Sequence, residues 1–156
     1  MKNIGKVLNT FSAKKEQSGL PRPEVEELNL ISGFGIKDDK FAGTDEEKAV
    51  MIVGKFAYDL AKEHGVNLEK GSLGENILFD FNPHEYNIGT VFKIGDAVFE
   101  ITQACTICNH LSIFGNELPT LLKHCRGLYC KIINSGDITS GMTVKFVSNW
   151  QKDIAS

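Results

Sequence analysis

The sequence predicts a mainly-β domain, a barrel rather than an open sheet, with one or two short helices. Seven or eight short runs of strand-forming residues are spread along the whole chain. Two of them, residues 90–94 and 97–102, flank Gly95-Asp96, a two-residue hairpin signal with Gly at the first central position. Only residues 55–64 have firm helical spacing, with Phe56, Ala57, Leu60 and Ala61 on one face and Gly65 placed to end the helix. A parallel α/β fold would need a helix after nearly every strand.

Taken in order, residues 4–12 form a first strand of imperfect alternation, and 13–23 a loop containing Pro21-Arg22-Pro23. The two prolines fix φ on either side and hold Arg22 in extended backbone. Residues 25–31 alternate with Val25, Leu28 and Leu30 on the buried side. A glycine-bracketed, turn-rich loop follows over 33–43, then the continuous apolar run 49–53, which suits a buried strand. Residues 67–76 are loop, 77–81 a short strand, and 113–123 hold a hint of helix in Leu118, Leu121 and Leu122. Residues 128–133 and 142–147 are the closing strands, joined by a turn-rich loop over 135–141. Neither a repeat nor a linker interrupts the chain, so a single domain over 4–148 is expected.

The charge balance narrows the partners. A net charge of −3 gives no broad basic footprint for nucleic acid, although a few local cations could still hold a small anion. No apolar stretch approaches the ~18 residues needed to span a bilayer, and the N-terminal residues lack a signal region. A cytoplasmic protein without membrane partners is therefore expected.

All four cysteines (105, 108, 125 and 130) lie in the last third of the chain, which does not suit a disulfide framework. Cys105 and Cys108 form a CxxC directly after the strand 97–102, with His110 close behind. Three chemistries are open to them. A structural zinc site would use Cys105, Cys108, Cys125 and Cys130, with His110 or His124 able to replace a member, in a non-catalytic zinc-binding or interaction domain, although the second pair is spaced too long. A redox dithiol would want a helix start in a βαβ context, and a hairpin stands there instead. In the third reading one cysteine works alone as nucleophile or metal ligand. Cys130, inside an apolar strand, reads as a small hydrophobe.

The order of motifs resembles the MOSC domain family, the C-terminal domain of molybdenum cofactor sulfurase, which also occurs as small stand-alone bacterial proteins. The resemblance rests on Gly5-Lys6-Val7, on Leu20-Pro21-Arg22-Pro23, and on the loop Gly33-Phe34-Gly35-Ile36-Lys37-Asp38-Asp39-Lys40-Phe41-Ala42-Gly43. It continues through Gly71-Ser72-Leu73-Gly74-Glu75-Asn76-Ile77, Ile88-Gly89-Thr90, Ile94-Gly95-Asp96 and Thr102-Gln103 leading to Cys108. Gly127-Leu128-Tyr129 and Gly141-Met142 close it.

The resemblance implies a β-barrel and a role in handling the molybdenum cofactor through Cys108. That cysteine would be either a persulfide carrier or a thiolate ligand to molybdenum. The activities implied are sulfur transfer and reduction of N-hydroxylated compounds. Asn76, Lys40, Lys48 and Arg126 are the residues expected to bind the pterin and its phosphate. The pyridoxal-phosphate desulfurase domain found in larger family members is not expected in so short a chain. Sulfur would then come from a separate cysteine desulfurase, with a molybdoenzyme as a further partner. Three positions depart from the family pattern: Phe41 stands for a His, Asp38 for a Gly, and Lys48 for an Arg.

Overall fold

The computed structural model describes residues 1–105 and 117–147. Ten strands lie among them: β1 Lys2–Thr10, β2 Glu27–Ile31, β3 Gly35–Ile36, β4 Val50–Gly54, β5 Ile77–Phe79, β6 Val91–Ile94, β7 Ala97–Ala104, β8 Leu128–Asn134, β9 Gly136–Thr139 and β10 Thr143–Val147. The two α-helices are α1 Lys55–Glu63 and α2 Leu118–Leu121. Seven strands close a barrel in the order β1-β10-β6-β7-β8-β4-β5, and β3-β2-β9 form a small second sheet.

The predicted hairpin is β6–β7, with Ile94 opposite Ala97 and Gly95 at φ 59°. The imperfect alternation of the first strand has a physical cause. The β1 register shifts between Asn3 and Gly5 against β10, and between Val7 and Asn9 against β5. β4 and β5 are the parallel pair, and the chain links them through α1. The one firm helix of the sequence thus makes the one crossover that the barrel needs.

β4 reads as a continuous apolar run because both its faces are buried. Val50 and Ile52 point into the barrel core with Phe79, Phe92, Phe99 and Ile132. Val53 points outward into a second cluster with Ala57, Tyr58, Ala61, Leu118 and Leu122, which seats α1 and α2 on the barrel wall. Gly65, at φ 83°, follows the α1 C-cap as expected.

Two segments read as loops contain strands. β3 falls within 33–43 and β9 within 135–141. In β9 Ile138 is the one buried apolar side chain among turn-forming residues, so local pattern could not show it. Pairing decides the matter, with Leu28 opposite Ile138 and Leu30 opposite Gly136. The Ile113 end of the segment 113–123 lies outside the described residues, and its C-terminal part forms α2. No described helix is long and apolar enough to cross a membrane.

Candidate functional site

One end of the barrel carries two adjoining cavities of about 300 and 200 Å³. They share a wall made of Arg22, Phe41, Met51 and Tyr129. Three loops and the β7 and β8 ends that face them supply the rest.

Arg22 comes from the loop between β1 and β2. Its backbone is pinned where its amide donates to the Gly71 carbonyl at 3.1 Å. Gly71 itself sits at φ 94°, and a Cβ there would lie 2.7 Å from the Arg22 carbonyl oxygen, so only glycine permits this approach. Burial pulls the Arg22 guanidinium below its ordinary pKa, while Asp39, Glu75 and Tyr129 act in the opposite direction. Asp39 Oδ1 stands 3.8 Å from Arg22 Nη1.

The loop after β3 brings Asp39, Lys40 and Phe41. Asp39 accepts hydrogen bonds from Ser12 Oγ at 2.7 Å and from the Phe41 amide at 3.0 Å. Lys40 Nζ donates to the Gln17 carbonyl at 2.8 Å. Asp38 has φ 66° and is the one described non-glycine residue in the left-handed region. The glycine that the resemblance implies at this position can therefore be replaced by Asp, which visits that conformation more readily than most residues.

Beneath the larger cavity, Leu73 and Gly74 come from the turn 71–76. A buried relay fixes that turn to α1. The Tyr58 hydroxyl donates to Glu75 Oε2 at 2.5 Å and accepts from the Gly71 amide at 3.0 Å. Glu75 is wholly buried, and burial pushes its pKa up, against the opposing effect of its bond from Tyr58.

The last wall is the β7 end and the β8 start. The Cys105 amide donates to the Gly127 carbonyl at 3.0 Å, and its thiol donates to the Tyr129 hydroxyl at 3.5 Å. Burial, with Cys105 adding, pushes the Tyr129 phenol up to about 12, so it is protonated at neutral pH. Arg126 is almost fully buried, and the next residue, Gly127, donates its amide to His84 Nε2 at 3.1 Å.

Of the residues expected from sequence, Lys40 and Arg126 line the larger cavity and Lys48 and Asn76 the smaller. Lys48 Nζ stands 5.5 Å from the centroid of the Tyr129 ring. The Asn76 side chain is committed to backbone: Oδ1 accepts from the Met51 amide at 2.9 Å, and Nδ2 donates to the Phe11 carbonyl at 3.1 Å. Cys108 and His110 lie outside the described residues. Arg22, Tyr129 and Asp39 were missed. For Arg22 a signal existed, since a cation clamped between two prolines is presented on rigid backbone.

The remaining thiols do not reach the cavities. Cys130 is wholly buried in the barrel core, and burial raises its pKa. Cys125 packs in the α1–α2 cluster, where burial likewise raises it. No group of three or more His, Cys, Asp or Glu side chains able to hold a metal occurs among the described residues.

Among curated proteins no match is found. Among solved structures, the YuaD protein from Bacillus subtilis is similar with a TM-score of 0.73 and 15% identity, covering 92% of this chain and 96% of that one. YiiM from Geobacillus stearothermophilus gives a TM-score of 0.66 at 16% identity over 94% of this chain and 75% of its own. YiiM from Escherichia coli gives 0.64 at 17% identity over 92% and 70%. At these identities the likeness is one of fold. The MOSC domain model matches residues 38–145, which run from the Asp38-Asp39 turn to β10 and include most of both cavity walls. The chain belongs to the MOSC domain family.

Proposed function

We propose that this protein handles the molybdenum cofactor as a single domain over residues 4–148, with the cavity cations holding the cofactor's anionic end. One observation carries this reading. Arg22, Lys40 and Arg126 converge on one cavity whose described lining contains no carboxylate, and a thiol, Cys105, stands among them. Three cations on one cavity, Arg126 buried and Arg22 and Lys40 partly so, attract an anion, and guanidinium groups match phosphate oxygens geometrically. Met51, Leu73 and the Phe41 ring supply an apolar wall suited to the flat part of a pterin. The donor set therefore fits such a group. Lys48 and Asn76 would face it from the smaller cavity.

Cys108 is the thiolate in this reading. It follows Cys105 by three residues, a reach of at most about 11 Å of extended chain from the cavity wall. When bound, the cofactor would supply the redox or sulfur-accepting centre. The chain's own part is to hold the phosphate, exclude water behind Met51 and Leu73, and present a thiolate. As a carrier it would receive sulfur from a separate cysteine desulfurase and pass it towards a molybdoenzyme. As a reductase it would act on N-hydroxylated compounds.

The test is elemental and pterin analysis of protein purified from a host that makes the cofactor. Molybdenum with molybdopterin, or a persulfide on Cys108, is expected, and Cys108→Ser should lose either one. Protein carrying none of these, from a host whose other molybdoenzymes are loaded, overturns the proposal.

A further inference from the structure

Phe41 is the unusual side chain of the site. Its ring is 48% exposed although it lies in the wall shared by both cavities. The loop conformation does not need it. The Phe41 amide donates to Asp39 Oδ2 at 3.0 Å, and its carbonyl accepts from Thr44 Oγ1 at 2.6 Å and the Thr44 amide at 3.2 Å. Those bonds are made by backbone and would serve almost any residue. An exposed aromatic ring on a backbone so firmly fixed is explained by what it faces.

It faces two cations. The Arg22 guanidinium carbon is 5.0 Å from the ring centroid, and Lys40 Nζ is 5.3 Å from it. Both cations line the larger cavity. Arg22 Nη1 makes no hydrogen bond within the protein, and its 3.8 Å ion pair with Asp39 exceeds the ~2.7–2.9 Å of a charge-assisted bond. Electrostatic pairing alone thus leaves the orientation of the guanidinium loosely set. An aromatic face attracts cations through its quadrupole without neutralising them. A carboxylate at this position would orient the two cations equally well, but it would cancel the charge that an anionic ligand needs.

We propose that Phe41 is a positioning residue whose ring holds Arg22 and Lys40 as a preorganised pair for the anionic group of the ligand, adding no negative charge to the one that Asp39 already sets beside Arg22. This rests on the reading of the larger cavity as an anion site. It adds that affinity depends on an aromatic ring at position 41, where size and hydrophobicity alone are insufficient.

Nuclear magnetic resonance on the full chain, with inorganic phosphate as probe, separates the two claims. Without phosphate, the Lys40 ε-methylene and Arg22 δ-methylene protons should be shifted upfield by the ring, lose that shift in Phe41→Leu, and regain it in Phe41→Trp. With phosphate, Phe41→Leu should bind about four- to twenty-five-fold more weakly, the product of about two- to fivefold for each cation released, and Phe41→Trp should recover most of it. Unchanged barrel resonances in both variants exclude a folding effect. Wild-type affinity in Phe41→Leu, or no recovery in Phe41→Trp, overturns the proposal. A wild-type protein that shows the ring shifts but no response to phosphate overturns the anion reading of the cavity, while the ring's hold on the cations stands.

Discussion

Asp39 faces Arg22 across 3.8 Å with one carboxylate oxygen, and holds the Phe41 amide with the other. A single buried carboxylate therefore ties the guanidinium, the aromatic ring and, through Ser12 Oγ, the end of the first strand into one unit. The cations of the site owe their positions to this tie as much as to their own side chains.

Asp39→Asn tests it. Asn keeps one acceptor oxygen and turns the other into a donor NH2, so either the Ser12 hydroxyl or the Phe41 amide loses its acceptor. A loss of about 1–3 kcal/mol is expected by urea denaturation. Ser12→Ala, which removes only one of these bonds, should cost about 1 kcal/mol.

The Tyr58–Glu75 relay makes a prediction about pH. Burial raises the Glu75 pKa above its ordinary value of 4.5, so the folded protein keeps a proton that the unfolded chain releases. That contribution to stability is complete below the unfolded value and is lost as pH rises through the folded one. Denaturation midpoints of Glu75→Gln should therefore fall less with rising pH than those of the wild type. Tyr58→Phe should cost about 1–3 kcal/mol, towards the upper end as pH rises, because it strips the Gly71 amide and Glu75 of their shared partner and that bond favours the ionised carboxylate.

His84 acts in the opposite direction. Burial, with the charge of His124 adding, lowers it from 6.5 to about 4, and its Nε2 must stay unprotonated to accept from the Gly127 amide. Its contribution is present above pH 6.5 and is lost as pH falls towards about 4, where the imidazole charges in the folded state too. His84→Gln offers an acceptor that does not titrate. Its midpoint should fall less between those two pH values than that of the wild type.

Asp38, at φ 66°, occupies a backbone conformation that glycine adopts without strain. Asp38→Gly should stabilise the fold by about 1 kcal/mol, read as a raised denaturant midpoint with unchanged slope. Asp38→Ala, which has neither freedom nor a local hydrogen-bonding side chain, should lower it.

Much of this protein is written in local pattern. The β6–β7 hairpin follows from Gly95-Asp96 between two strand-forming runs, α1 from the spacing of its apolar residues, and β4 from an uninterrupted apolar run. Periodicity and turn chemistry are properties of neighbours along the chain, so they survive without coordinates. The order of the glycine-containing motifs identified the family for the same reason, and with it the expectation of a barrel.

Only the tertiary structure decided the site. Arg22, Phe41, Cys105 and Tyr129 are far apart in sequence and come together because β7, β8 and two pinned loops meet at one barrel end. β9 became a strand only through pairing with β2, since its own residues read as a turn. Asn76, expected at the site from its motif, lines the smaller cavity, and only the structure shows that its side chain also bonds the backbone of β4 and of Phe11. In each case the deciding quantity was the partner across space, such as a hydrogen-bond acceptor, a paired strand or an opposing charge, and a sequence does not contain it.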